Sequence, residues 1–394
     1  LKIKLLFYSH DWLPTVGGIQ TVTLSLVTGL SEWGNIHPGD SIETIFVTDT
    51  PAEGMDDSTL PFRVIRCPGI REFVALVRWA DVIEITGPSL LPLILARILR
   101  KPTVLAHHGY QSICPNGLLV FEPDRSVCPG HFMAGRYRKC LECNRKEMGL
   151  MGSLRNLWLT FPRRWLAKRA TINVGVSPHV AQRVALPRTT TIWNGVAANV
   201  EPLSGEELGG DSQSVCFGYL GRLVTEKGLP VLLQASRDLM LEGCQFRLRI
   251  VGDGPERSNL EKLTQHFGLT DRTEFVGSVP SGAIRETLRG VSAIVMPSVC
   301  EDVSPLVAME QMMEGRLLIG SDIGGLGLVV GDMGLKFPAG DAKALASRMR
   351  QVLDDPSRAV TMGKRGREHG LRTFTLDRMV EEHALLYRGL IQGE

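Results

Sequence analysis

The chain has 394 residues, with 44 Lys and Arg against 42 Asp and Glu, a formal net charge of +2, and a composition 43% hydrophobic and 22% charged. That balance argues against a nucleic-acid binder, which needs a basic excess, and against a disordered chain, which lacks apolar residues. The length favours two domains, each large enough to bury its own core.

In chain order, the first strand is expected in KIKLLFYS and the first helix in QTVTLSLVTGLSEWG. The opening lacks the apolar region and small-residue cleavage site of a signal peptide. It begins at Leu1 rather than Met, as a processed or trimmed start would. No apolar run reaches the roughly 18 residues of a membrane-spanning helix, so a cytoplasmic protein is expected. ETIFVTD, DVIEITG, TVLAHHG and INVGVS read as the remaining strands of the first half. The aperiodic stretch from Ile192 to Ser214, rich in Gly, Ser, Asn and acids, reads as the interdomain linker. CFGYLGRL, FRLRIVGDG, TEFVGSV, AIVMPS and LLIGSD supply the strands of the second half. Helical periodicity is clearest in PVLLQASRDLMLEG, ALASRMRQVLDD and LDRMVEEHALLYRGLI. This double strand-helix alternation predicts an α/β protein with two parallel sheets, each offering a ligand edge at its strand C-termini.

Three second-half segments carry candidate chemistry. In GYLGRLVTEKGLP a strand ends at Gly221, and Arg222 and Lys227 occupy the loop before a helix. Two cations entering a helix N-terminus suit a diphosphate, although solvated loop charges would look the same. In IVGDGPE, Gly252 and Gly254 form a turn that lets backbone approach a ligand, or simply a tight turn. In SVCEDVSPLVAMEQMMEG, Ser304 is expected as N-cap and Pro305 as the first helical residue. The amides of Leu306 and Val307 would then be open donors for a phosphate. Glu310 falls one turn on, on a face expected to be buried, where ribose hydroxyls or a salt bridge would satisfy it.

Two first-half features stand apart. Cys114, Cys128, Cys140 and Cys143 are spaced C-x13-C-x11-C-x2-C. Four thiolates so spaced suit a tetrahedral structural zinc, and the alternative is four reduced thiols in an irregular loop. From Arg136 to Arg169, ten Lys or Arg face only Glu142 and Glu147, with Trp158, Phe161 and Trp165 interleaved. Such a segment suits peripheral contact with an anionic membrane, an acceptor groove, or a solvated helix whose tryptophans pack inward.

Taken together, WLPTVGGIQ, GRLVTEKG, VGDGP with FVGSV, and the acidic helix motif with EGRLLIGSDIGG resemble the family 4 retaining glycosyltransferases of GT-B fold. The resemblance implies two Rossmann-like domains facing a central cleft: residues 1–195 on the acceptor side, with a cysteine-bearing insertion near 110–150, and 196–372 binding the nucleotide sugar. Residues 373–394 would form a helix packing back on the first domain. It implies an NDP-sugar donor with base and sugar open among UDP, GDP and ADP, a hydroxyl acceptor such as a polysaccharide, glycolipid or metabolite, and no catalytic metal.

By position, Arg222 and Lys227 look like the pair on the donor diphosphate, and Glu310 like the ribose-holding second acid of an E-x7-E motif. Eight residues before Glu310 lies Asp302, so the motif reads D-x7-E, with neighbouring Glu301 as the competing first acid. Gly17 and Gly18 resemble the N-terminal glycine loop, His108 a histidine near the reacting sugar, and Val279 a residue against the base. Asn194 and Gly195 resemble the interdomain hinge. The rival readings are a non-hydrolysing sugar-nucleotide epimerase of the same fold and a catalytically silent nucleotide-sugar-binding subunit. A nicotinamide dehydrogenase is disfavoured because the GGIQ turn lacks G-x-G-x-x-G spacing.

Overall fold

The computed structural model describes residues 1–14, 17–198, 201–205, 207–208 and 215–393. Thr15 and Val16 of the glycine loop, and 199–200, 206 and 209–214 of the expected linker, lie outside the described residues. Two units are present: Leu1–Asp124, Cys128–Val196 and Phe374–Glu394 form the first, Arg125–Val127 and Ala197–Thr373 the second.

In chain order the first unit begins with β1 (Lys2–Ser9), α1 (Gly18–Ser31), α2 (Trp33–Ile36), β2 (Ser41–Thr48), β3 (Arg63–Arg66), α3 (Ile70–Trp79) and β4 (Val82–Thr86). There follow α4 (Leu90–Ile98), β5 (Thr103–His107) and the two-residue strand β6 (Val120–Phe121), then in the chain the two-residue strand β7 (Ser126–Val127), which belongs to the second unit. The long α5 (Tyr137–Ala167), β8 (Ile172–Gly175), α6 (Pro178–Val184) and β9 (Thr189–Thr191) come next. The main sheet runs β3-β2-β1-β4-β5-β8-β9, with parallel pairing throughout. Its central strands are nearly continuous in Val, Ile and Leu because helices cover both faces. Leu5, Phe7, Phe46, Val82, Ile83 and Leu105 are fully buried.

The second unit contains β10 (Val215–Leu220), α7 (Leu229–Leu241), β11 (Phe246–Val251), α8 (Arg257–His266), β12 (Thr273–Gly277), α9 (Ile284–Thr287) and β13 (Ala293–Met296). It continues through α10 (Leu306–Glu314), β14 (Leu317–Ser321), α11 (Gly324–Val330), β15 (Leu335–Phe337), α12 (Ala342–Asp354) and α13 (Ser357–Thr373). Its sheet runs β12-β11-β10-β13-β14-β15, again parallel. Phe217, Leu233, Val295, Ile319 and Leu345 form a fully buried core. Arg316, 1% exposed, ties the end of α10 to the rest of the unit through Gln311 Oε1 and the Val291 carbonyl.

In both sheets the chain order reverses at one place, between β1 and β4 and between β10 and β13. Loops leaving neighbouring strands there diverge to opposite faces, which opens a crevice beyond the strand C-termini.

The final helix, α14 (Leu376–Gln392), belongs to the first unit. Gly29 of α1 permits its close approach, since a Cβ there would lie 2.5 Å from Val380. The Tyr387 hydroxyl donates to buried Glu84 on β4. Gly195 is required where the chain passes this helix, because a Cβ would meet the Thr375 carbonyl at 2.5 Å. Val196 N–H donates to Phe374 O and Leu376 N–H to Val196 O, which fastens that crossing.

Candidate active site

The site is best built from the second unit's switch point. After β10 the chain turns at Gly221, and the buried Tyr219 hydroxyl donates to the Arg222 carbonyl at 2.8 Å, fixing the loop. Leu223 N–H donates to Asp253 O and Glu256 N–H to Leu223 O, stitching this loop to the turn after β11. Gly252 and Gly254 make that stitching possible. A Cβ on Gly252 would lie 1.9 Å from Gly221 O, and one on Gly254 2.4 Å from Leu223 O. The missing side chains therefore admit neighbouring backbone. Gly252 N–H also donates to Gly277 O, bringing in the loop after β12 that carries half-buried Val279.

A second joint sets Lys227. Val299 N–H donates to Glu226 O, and Gly228, at φ +67°, brings its Cα against Pro297 O. The loops after β10 and β13 are thus locked together, and Lys227 Nζ donates to Asp302 Oδ1 at 2.7 Å. Ser298 Oγ donates to the other oxygen, Oδ2, also at 2.7 Å. Burial disfavours the Lys227 ammonium, but the Asp302 carboxylate outweighs it and holds the pKa above its ordinary value. Arg222, by contrast, is exposed and its guanidinium has no side-chain partner among the described residues. One expected cation is therefore open, and the other is already paired.

The acidic loop rests on α11. Gly325 N–H donates to Asp302 O, and a Cβ on Gly324 or Gly325 would strike the backbone of 301–303. Asp302, rather than Glu301, is thereby turned toward Lys227. Ser304 does not serve as N-cap: α10 starts at Leu306 with Pro305 as its cap residue, and no side chain caps it. Pro305 at ψ 87° is outside the helical region, so the helix begins one residue later than expected. Ser304 Oγ is buried with no partner, a hydroxyl left for something else to bond. The first turn, including Leu306 and Val307, presents the helix's positive end. Glu310, half-buried, has no hydrogen-bond partner among the described residues. Burial, aided by Glu314, pushes its carboxyl up to about 7.

The structure thus brings Gly221, Arg222, Lys227, Gly252, Gly254, Asp302, Ser304, Leu306, Val307 and Glu310 to one edge of one unit. It places Gly17, Gly18 and His108 in the other unit. Gly17 precedes α1 in extended conformation and Gly18 is its first residue. His108 follows β5, and burial with His383 and His107 nearby lowers its pKa to about 4, so it is a neutral imidazole. Sequence reasoning missed Tyr219, Gly228, Ser298, Gly324 and Gly325. They act on backbone of other loops or on Asp302, and their order along the chain does not show that the loops meet.

Cys114, Cys128, Cys140 and Cys143 are all buried and line one small cavity. Cys114 Sγ donates to Asn116 Oδ1 at 2.9 Å and Cys143 Sγ to Val120 O at 3.4 Å. Burial pushes the Cys140 and Cys143 thiols up to about 12 and about 11. Zinc takes thiolates, and among the described residues no group of three or more His, Cys, Asp or Glu is arranged to hold a metal ion. The four cysteines share one cavity, without the arrangement of a metal site among the described residues.

In α5 the helix kinks at Gly149 (φ 67°, ψ 179°). Trp158 is 71% exposed and Trp165 49%, so inward packing of these tryptophans is corrected. Seven residues apart, the two share one face of the helix. No helix among the described residues is long and apolar enough to cross a membrane.

Residues 205–369 match the family described as glycosyl transferases group 1. Among curated relatives, a 2-deoxystreptamine glucosyltransferase of Streptomyces kanamyceticus is 35% identical over 39% of this chain and 40% of its own length. An alpha-D-kanosaminyltransferase of the same organism is 28% identical over 46% of this chain and 47% of its own. The chain thus spans less than half of these two relatives. A 2-deoxystreptamine N-acetyl-D-glucosaminyltransferase of Streptomyces fradiae is 26% identical over 89% and 88%. Among solved structures, sucrose-phosphate synthase of Thermosynechococcus elongatus aligns over all of both chains, with TM-score 0.73 and 20% identity. Anabaena HepE in complex with UDP aligns over 98% of this chain and all of its own, with TM-score 0.73 and 16% identity. With two parallel α/β sheets and full-length likeness to these solved structures, the chain has the GT-B fold, and residues 205–369 of its motif-bearing second unit match the glycosyl transferases group 1 family.

Proposed function

We propose that the chain is a retaining glycosyltransferase moving a sugar from a nucleoside diphosphate sugar to a hydroxyl acceptor. The observation that carries this reading is the grouping, at one switch point, of open Arg222, Lys227, the start of α10 and unpartnered Glu310. Arg222 and Lys227 bind the diphosphate, and Glu310 accepts hydrogen bonds from ribose hydroxyls. As the bond from the anomeric carbon to the β-phosphate breaks, charge builds on the leaving oxygen. The two cations and the first-turn amides near Leu306 and Val307 stabilise it. The sugar passes through an oxocarbenium-like state, and the acceptor hydroxyl attacks from the leaving-group face. Its proton goes to the departing phosphate, so no protein nucleophile is needed. The side-chain cations supply the charge that a catalytic metal would otherwise bring.

HepE's complex with UDP makes UDP the first nucleotide to try. A thermal-shift series with UDP-, GDP- and ADP-sugars should show one base raising stability with concentration. Lys227→Ala should keep the fold and lose turnover; unchanged turnover would refute the role. Conversion of the donor without acceptor would instead mark an epimerase. A second reading concerns location: exposed Trp158, Phe161 and Trp165 on a basic helix favour peripheral contact with an anionic membrane. Flotation with anionic vesicles at low salt, lost on Trp158→Ser with Trp165→Ser, is the expected result.

A further inference from the structure

The first unit has its own crevice, at the β1/β4 switch point, of about 350 Å³. Tyr8, Asp49, Ser89, His108, Gln111 and Arg163 line it. Two of these, Arg163 and Gln111, have unmet needs. Arg163 of α5 is half-buried and makes no hydrogen bond or ion pair among the described residues. Burial works against its charge, and the charged neighbour that bears on it, Arg155, adds repulsion. Its chain neighbour Arg164 shows the contrast, being satisfied by the Val184 and Ala185 carbonyls. A guanidinium taken partly out of water without a counter-charge is costly, and an anion arriving at its fork would relieve that cost.

Gln111 Oε1 is buried without a donor. Its side chain packs against Gly109 and Gly117, where a Cβ would come within 2.9 Å of it, so the two glycines make the space it occupies. An orphan carbonyl of this kind calls for a hydroxyl or amine donor. Neutral His108 brings a ring with one donor and one acceptor nitrogen. The carboxylates in the crevice do not answer Arg163. Asp49 accepts from Tyr8 Oη at 2.6 Å and is paired with His10 Nδ1 at 2.9 Å. Asp11 is exposed, with no ion pair to Arg163.

We propose that this crevice takes a hydroxyl-rich acceptor carrying an anionic oxygen group, a sugar or polyol phosphate or carboxylate, with the anion on Arg163 and a hydroxyl on Gln111. The proposal rests on the glycosyltransferase reading and names its acceptor class, against the cationic aminocyclitols that some relatives' names indicate.

The test is calorimetry on the full chain with glucose 6-phosphate, inositol 1-phosphate and glucuronate, set against glucose, inositol and glucosamine. At least one anionic ligand should bind tenfold or more tightly than its neutral partner and weaken with salt. Arg163→Ala should abolish that preference. Arg163→Lys, which keeps the charge without the fork, should retain part of it. Nucleotide binding, measured in parallel, should be unchanged in both variants. Equal binding of neutral or amino sugars, or a preference that survives Arg163→Ala, would overturn the acceptor class. Failure of every nucleotide to bind wild-type protein would overturn the transferase reading instead.

Discussion

Glu310 offers the sharpest test of the donor site because its charge is conditional. Burial and Glu314 hold its carboxyl at about 7, so the free protein carries it largely protonated at pH 6 and largely ionised at pH 8. Ribose hydroxyls donating to it favour the ionised form and pull its pKa down toward the ordinary carboxylate range. Binding then releases a proton below pH 7. If the bound value returns to roughly 4.5, linkage makes nucleotide affinity about tenfold weaker at pH 6 than at pH 8, or about 1.4 kcal/mol. The terminal phosphate of a nucleoside diphosphate also titrates, near about 6, so the slope must be read against Glu310→Gln. Calorimetry with the preferred nucleotide from pH 5.5 to 8.5, for wild type and variant, gives the difference directly. The variant should bind more weakly at pH 8, by about 1.5–3 kcal/mol for a lost charged hydrogen bond, and should lack the excess slope. Parallel slopes in the two proteins would refute the assignment of Glu310 to the ribose.

The same group bears on stability. Folded Glu310 retains its proton up to about 7 and the unfolded chain releases it near the ordinary 4.5. The folded state thus binds more protons in that window, and its stability falls as pH rises through it. Glu310→Gln should therefore raise the apparent melting temperature at pH 8 and leave it nearly unchanged at pH 4. Asp302→Asn should lower stability by about 1–2 kcal/mol, since half-buried Lys227 loses its counter-charge and keeps only an amide; denaturant unfolding of the full chain reads this. Gly228→Ala should be severe and Gly243→Ala mild. Both sit at positive φ, but a Cβ on Gly228 would lie 2.0 Å from Pro297 O, whereas one on Gly243 meets nothing within 4 Å. For Gly243→Ala the expected cost is about 1–2 kcal/mol of backbone strain, while Gly228→Ala should also abolish nucleotide binding in the thermal-shift assay. Tyr387→Phe should cost about 1–3 kcal/mol, because it strips the buried Glu84 carboxyl of its hydroxyl donor.

What the sequence makes legible here follows from how far each signal reaches along the chain. β1, β4, β5, β10, β11 and β13 announce themselves as apolar runs bounded by Gly, Pro or polar residues, so their existence is visible locally. β3, β9 and β15 are three or four residues long and borrow their conformation from a neighbour, which no local pattern records. α13 is hidden for the opposite reason. Its Gly363, Gly366 and Gly370 read as helix breakers, yet they form the stripe that lets α13 lie against the end of α10. A Cβ on Gly363 would meet Gly315 O at 2.0 Å, so the low helix propensity is offset by packing that an alanine could not make. The candidate site divides in the same way. Arg222, Lys227 and Asp302 stand out as charges in the loops beyond strand ends, and Glu310 as a carboxylate on a largely apolar helix. Ser298 and Tyr219, which position Asp302 and the Arg222 loop, are ordinary residues until the fold brings the loops together. Arg163 is the limiting case. In sequence it is one of ten cations in a basic segment, next to an identical neighbour, and only the structure shows that Arg164 is answered by carbonyls while Arg163 is not. Charge alone therefore marks where a ligand could bind; an unmet hydrogen-bonding or electrostatic need, which exists only in the folded chain, says what kind of ligand it would be.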